Sequence, residues 1–229
     1  HGADDGAAAQ ALAAGLDVPC LVDAAQSLGR LDLAAVVDTG AVLALAPHKA
    51  GGLRGHGVLL GRGLARRLRP LMVGGGQELG LRPGTQSPAL AAANALAIER
   101  AVAERSRRAA AMAACRDAFL KTLHTADHAH RVLTPLTHSV PNTVMLCFEG
   151  VDGRNLLPAL DLAGVHASHG SACASGAPTP PRILSAIGLD DDDARACVRF
   201  SFGWREPIAS VERAGARVAH VVARLRKKN

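Results

Sequence analysis

Residues 18–27 read VPCLVDAAQS, a mostly apolar run that changes abruptly at Asp23 to a polar end with Gln26 and Ser27. A short unbroken apolar run is what a strand buried on both faces looks like, and its polar end predicts a strand tip that opens on a site. The run AVLALA (41–46) stops the same way, at Pro47, His48 and Lys49, and a third run, GVLLG (57–61), follows the glycine-rich KAGGLRGHG. Upstream, AAAQALAAGLD (7–17) is helical by composition. Apolar strands alternating with helical segments predict α/β architecture, in which ligands gather at the carboxyl ends of the strands.

Further along, GGGQELGLRPGT (74–85) holds five glycines and a proline, too many for a helix or a plain strand, and reads as a structured loop. Ser87 before Pro88 fits an N-cap and first turn, and the helical composition then runs for nearly forty residues. So long a helix, with room for a kink, predicts a bridge between two domains. Beyond it NTVMLCFEG (142–150), GVHAS (164–168) and CVRFSFG (197–203) read as strands, VDGRNLLPALDLA (151–163) as a helix, and 208–226 as the last helix. The expected division is 1–110, part of a large α/β domain that ends in the connecting helix, and 111–229, a smaller α+β domain. GLDDDDARAC (188–197) sets four carboxylates where a helix begins, which is the pattern of a cap against the helix dipole and not of a cation site.

Composition narrows the function classes. The chain of 229 residues is 48% hydrophobic, much of it alanine, with 2% aromatic residues and no tyrosine. The net charge of +6 suits an anionic ligand, but only GRGLARRLR (61–69) and RLRKK (224–228) concentrate it, and no stacking aromatics accompany them, so nucleic acid is not the expected partner. No stretch approaches the roughly 20 apolar residues of a membrane span, which makes a cytoplasmic address the default expectation. The five cysteines, Cys20, Cys115, Cys147, Cys173 and Cys197, are scattered without metal-ligand spacing, so reduced thiols and no metal are expected.

Asp23 and Gln26 follow the first strand and Lys49 follows the second, so parallel pairing would bring all three to one sheet edge. An amine there can form a Schiff base with an aldehyde cofactor, and a nearby carboxylate can keep a pyridine nitrogen protonated, making the ring an electron sink. The bland alternative is a solvated loop lysine beside a turn-capping aspartate. Cys173 poses a separate question, because SHGSACASG (168–176) places it among serines, alanines and glycines with nothing apolar enough to bury it. Cys147, between Leu146 and Phe148, reads as an ordinary buried cysteine, and Cys20, Cys115 and Cys197 are read the same way.

Taken in order, VDAAQSLG, PHKAGGLRGHG, GGGQELGLRPGT, SHGSACASG and VRFSFG resemble the motifs of cysteine desulfurases of the NifS/IscS type. These are class V aminotransferase-like, fold-type I enzymes that use pyridoxal 5'-phosphate. The resemblance runs from about residue 7 to the end. It implies that Lys49 carries the cofactor with His48 as its motif partner, that Asp23 faces the pyridinium nitrogen, and that Gln26 lies near the phenolic oxygen. It further implies that Thr85 reaches the cofactor phosphate of a partner subunit in a homodimer. Arg199 would grip the carboxylate of the substrate L-cysteine, for which a forked guanidinium is suited. The Cys173 thiolate would take the substrate sulfur, release L-alanine and pass the persulfide to an acceptor or scaffold protein for iron–sulfur cluster assembly or other sulfur transfer. A small, glycine-flanked loop suits a thiol that must be accessible and must travel. His169, four residues before it, stands where a small hydroxylated residue is expected and is a candidate aid to deprotonation.

Two departures qualify the resemblance. The family's Ser-x-His-Lys is here Ala46-Pro47-His48-Lys49, which removes one phosphate contact. The family's first portion, with its phosphate loop, ring-stacking histidine and asparagine, is expected before residue 1. Each charge-assisted hydrogen bond lost would weaken cofactor binding by about 1.5–3 kcal/mol. The alternatives to a desulfurase, whether as a fragment or completed by another polypeptide, are a non-catalytic remnant serving dimerisation or docking, and a selenocysteine lyase.

Overall fold

The three early apolar runs become one sheet, with β1 (Leu21–Asp23), β2 (Val42–Leu45) and β3 (Val58–Leu60) in the order β1-β2-β3. β1 and β2 are parallel, Asp23 opposite Ala44, whereas β3 returns antiparallel to β2, Leu45 opposite Val58. β2 is the central strand and is buried on both faces, which is why its sequence is apolar without alternation. A computed structural model of the chain gives this arrangement. It describes residues 18–126, 130–170 and 182–226, so the expected helix at 7–17 lies outside the described residues.

These residues divide into two compact units, 18–106 and 107–226. The first holds the β1–β3 sheet, the short helices α1 (Ala34–Asp38) and α2 (Leu64–Arg67), and α3 (Pro88–Ala103). Its core is small and made of short side chains: Ala24, Leu28, Val36, Ala41, Leu43, Leu45, Ala50 and Ala101. Ser87 caps α3, its Oγ accepting from Leu90 N at 3.4 Å, with Pro88 in the first turn as the sequence predicts. Glu104 leaves helical geometry (φ −95°, ψ 5°), and a second helix, α4 (Arg105–Thr125), starts at once. The kink the long helix allowed therefore falls at Glu104, next to an Arg105–Asp32 ion pair of 2.5 Å.

The second unit is built on an antiparallel sheet of β4 (Arg131–Val132), β5 (Thr143–Cys147) and β6 (Cys197–Ser201). Alternation sorts its residues: Val144, Leu146, Val198 and Phe200 point to the main core, shared with α4, α5 (Gly153–Leu162) and α8 (Ile208–Leu225). Met145, Cys147 and Cys197 point to the other face, where Leu184 of α6 (Arg182–Ala186) and Ala194 of α7 (Asp191–Arg195) cover them. All four phenylalanines of the chain lie in this unit, with Phe119 and Phe200 ring centroids 4.8 Å apart. Asp190 caps α7, accepting from Asp193 N at 2.8 Å, as the acidic run predicts.

Two expectations change. GVHAS does not form a strand: Ser168 alone bridges to Arg199, through a pair of backbone hydrogen bonds of 2.6 and 3.2 Å. Gly164, at φ +72°, serves instead to end α5, and its N–H bonds back to Asp161 O. The two-residue edge strand β4 was not foreseen, being too short for any period to register.

Candidate functional site

Parallel pairing carries Asp23 and Lys49 to the same end of neighbouring strands, since Lys49 lies just beyond β2 and Asp23 ends β1. The side chains of Asp23, Gln26, His48 and Lys49 are all exposed. Asp23 Oδ1 accepts from Ala25 N at 3.0 Å, which orients the carboxylate. Among the described residues no acceptor engages Lys49 Nζ. The bland reading and the chemical one thus meet in Asp23: one oxygen caps the turn, and among the described residues no donor engages the other.

Lys49 sits on a 3-10 turn, Pro47–Ala50, closed by Lys49 N donating to Ala46 O at 2.9 Å. Proline fixes the first position, and Gly51 exits in the left-handed region at φ +104°. The next residue must also be glycine, because a Cβ on Gly52 would stand 2.4 Å from Asn94 Oδ1 and 3.0 Å from the Pro47 carbonyl group.

Two residues that the sequence did not single out hold this edge together. Asn94 on α3, only 3% exposed, accepts from Leu53 N at 2.8 Å and so ties the lysine turn to the helix. Its Nδ2 is buried with no hydrogen-bond partner among the described residues, so a polar group is kept there at a cost of about 1–3 kcal/mol. Arg30 donates from Nη1 to Gln26 O at 2.9 Å and from Nη2 to Lys49 O at 3.1 Å, linking the loop after β1 to the turn after β2. Asn94 had a visible signal, being the one polar residue in PALAAANALAI (88–98). Arg30 had none, since its role depends on two carbonyls brought together by the sheet.

Thr85 is exposed, in the loop that leads to the Ser87 cap. The loop is ordered by Gly84 N donating to Gln77 Oε1 at 3.3 Å and Gln86 Nε2 to Glu78 Oε1 at 2.7 Å. Glu78 and Leu79 both take positive φ, +50° and +59°, a costly conformation for residues with a side chain. The five glycines of this segment did predict a structured loop, though the left-handed strain falls on its non-glycine members as well.

In the second unit Arg199 is half-buried on β6, on the face that carries Met145 and Cys197. Burial lowers its pKa from the ordinary arginine value. Its Nη1 donates to Gly170 O, and its backbone bridges Ser168, so one residue pins the start of the cysteine loop twice. His169 Nδ1 lies 2.8 Å from Cys197 O, which makes Nδ1 the donor. Cys173 itself lies outside the described residues.

The remaining cysteines are free thiols, Cys115, Cys147 and Cys197 buried and Cys20 partly so. Burial pushes the Cys115 thiol above its ordinary pKa, with Glu206 adding to the effect. Among the described residues no cluster of three metal-ligating side chains occurs, and no helix is long and apolar enough to cross a membrane.

Comparison with known proteins agrees with the fold. The aminotransferase class-V family model matches residues 7–213. The chain is 35% identical over 212 residues to the cysteine desulfurase IscS of Ectopseudomonas mendocina, covering 90% of this chain and 50% of that protein. Among solved structures it resembles a NifS-like protein with a TM-score of 0.82 at 26% identity, covering 98% of this chain and 58% of the other. It also resembles SspA in complex with cysteine, with a TM-score of 0.67 at 26% identity over 89% of this chain and 55% of the other. The chain spans about half the length of the curated relatives it matches.

Proposed function

Because the chain belongs to the aminotransferase class-V family, we propose that it is part of a pyridoxal-phosphate-dependent cysteine desulfurase, which moves sulfur from L-cysteine to an enzyme thiol and releases L-alanine. The observation that carries this reading is the parallel β1–β2 pair, which ends in an exposed carboxylate, Asp23, and an exposed amine, Lys49, with no acceptor among the described residues. These two groups fit the aldehyde and the ring nitrogen of the cofactor. The phosphate end fits less well, because Ala46 offers no hydroxyl beside the lysine turn. The Thr85 hydroxyl, exposed on its ordered loop, is the group proposed for the phosphate of a second subunit in a homodimer.

Pyridoxal phosphate, when bound, supplies an electron sink for charge that develops at the substrate's α-carbon. Lys49 holds the cofactor through Nζ, and the 3-10 turn, Asn94 and Arg30 fix where that amine starts. Asp23 would face the ring nitrogen and keep a proton there, and Gln26 would address the phenolic oxygen with His48 beside the lysine. Arg199 pairs with the substrate carboxylate. The Cys173 thiolate attacks the substrate sulfur; the new S–S bond forms as the Cβ–S bond breaks, and the three-carbon remainder takes up a proton and leaves as alanine. The persulfide on Cys173 then passes to an acceptor protein, a chemistry that suits a reducing, cytoplasmic setting.

The test is to add pyridoxal phosphate and L-cysteine to the chain and to its Lys49→Ala and Cys173→Ser variants. A visible absorbance band is expected with the parent and with Cys173→Ser but not with Lys49→Ala, and cyanolysable sulfur with the parent only. A parent spectrum identical to that of Lys49→Ala would contradict the reading and favour a non-catalytic remnant. Alanine release from selenocysteine in the Cys173→Ser variant would point to a selenocysteine lyase.

A further inference from the structure

The face of the second sheet away from the main core carries a pair of cysteines that the desulfurase reading does not use. Cys147 on β5 and Cys197 on β6 are directly opposite in the antiparallel register. Phe148 N bonds to Ala196 O and Phe202 N to Asn142 O, so the hydrogen-bonded pairs are 148 with 196 and 142 with 202. Counting along the ladder, 147 with 197 is a pair without hydrogen bonds, the kind whose Cα atoms lie about 4.5 Å apart with side chains closest. That separation falls inside the range of roughly 4.4–6.8 Å that a disulfide spans.

The sulfurs also converge. Cys197 Sγ donates to Asp193 O at 3.1 Å and Cys147 Sγ to the same oxygen at 3.5 Å. Both are 0% exposed, but their cover is thin: α7 is five residues long and β4, the strand beyond Cys147, is two. Arg131 of β4 is opposite Cys147 in the register, its guanidinium 3.4 Å from Glu149 and 3.3 Å from Asp193. The hydrogen bond with Cys197 and the Arg131 guanidinium lower the Cys147 pKa, and it is the cation placed opposite Cys147 in the register that makes it the nucleophile of the two. Cys20 and Cys115 have no cysteine opposite them in either sheet.

We propose that Cys147 and Cys197 form an oxidisable dithiol, a modification site at which a small hydroperoxide such as hydrogen peroxide makes an intramolecular disulfide between β5 and β6. The Cys147 sulfur attacks one peroxide oxygen, breaking the O–O bond and releasing the other oxygen as water with Cys147 left as a sulfenic acid. The Cys197 sulfur then displaces that hydroxyl as a second water. Two thiols are oxidised and one peroxide is reduced, with no further reactant. The product removes both S–H donors from Asp193 O, beside the Cys197 carbonyl on which His169 is hung. The inference stands on the register and the shared acceptor, independent of the cofactor reading.

The experiment exposes the full chain to graded hydrogen peroxide, alkylates it with N-ethylmaleimide in denaturant, and maps it by mass spectrometry without reduction. The expected result is a cross-linked peptide joining Cys147 to Cys197, two hydrogens lighter than the sum of its parts and reversed by dithiothreitol. Arg131→Gln, whose exposed side chain can be changed without unfolding the sheet, should slow its formation several-fold. Full alkylation of both cysteines at peroxide concentrations that oxidise Cys173 would overturn the proposal. So would sulfinic or sulfonic acid at either residue without the cross-link, or a disulfide that pairs either one with Cys173.

Discussion

The two units solve the problem of a core in opposite ways. Unit 107–226 packs a sheet with large side chains, Phe119, Phe148 and Phe200 among them, and Arg199, its proposed substrate residue, is half-buried and pinned to Gly170. Unit 18–106 contains no Phe, Trp or Tyr, relies on alanine, valine and leucine, and leaves Asp23, Gln26, His48 and Lys49 exposed on its strand tips. Where side-chain bulk is absent, backbone hydrogen bonds to Asn94 and Arg30 set the geometry instead. The lesson is that an exposed polar edge can be held by a few polar clamps over a small core, and that such an edge should be sensitive to changes that a large core would absorb.

That contrast can be broken most directly in the large core. Phe119→Ala should destabilise unit 107–226 by about 3–5 kcal/mol, read as a fall in its denaturant midpoint. In the other unit Leu60→Ala, at a half-exposed position on β3, should stay within about 0.5 kcal/mol. Equal losses at the two sites would undo the distinction between the cores.

The polar clamp gives the next effect. Gly52→Ala places a methyl against Asn94 Oδ1 and the Pro47 backbone, and should cost about 1–3 kcal/mol. Asn94→Leu leaves Leu53 N without its acceptor and should cost a similar amount, about 1–3 kcal/mol, with faster amide exchange at Leu53. Unchanged exchange there would show that Asn94 does not hold the lysine turn.

The smallest expected effect is electrostatic. The hydrogen bond from Arg105 holds the Asp32 carboxyl below its ordinary range, so its folded pKa lies below the unfolded value of about 3.9. The stabilisation is therefore present above that unfolded value and is lost as pH falls through the folded one. Asp32→Asn should flatten this acid limb slightly in urea melts at stepped pH, and added salt should shrink the difference, because Asp32 is solvent-exposed. An acid limb that is identical in both proteins would remove the Arg105 pair from the account.

The parts of the fold that were legible are those written locally. Apolar runs with polar ends marked β1 and β2, Ser87-Pro88 marked the start of α3, and Asp190 marked α7. The direction of β3, the bridge in place of a strand at Ser168, and the pairing of Cys147 with Cys197 were not, because each depends on which distant segment arrives alongside. The site divides the same way. Asp23 and Lys49 stand at ends of apolar runs and could be read, whereas Asn94 and Arg30 act through main-chain groups of other residues, which no side-chain pattern announces.

The central claim is that the tips of β1 and β2 form the cofactor-binding edge, and Lys49 is where it is most exposed to test. Incubating the chain with pyridoxal phosphate, reducing with borohydride and mapping the peptides should find the cofactor's mass on Lys49 in the parent, and sharply less of it after Asp23→Asn or Gly52→Ala. Label spread evenly over the exposed lysines, or label on Lys49 indifferent to both substitutions, would contradict the claim.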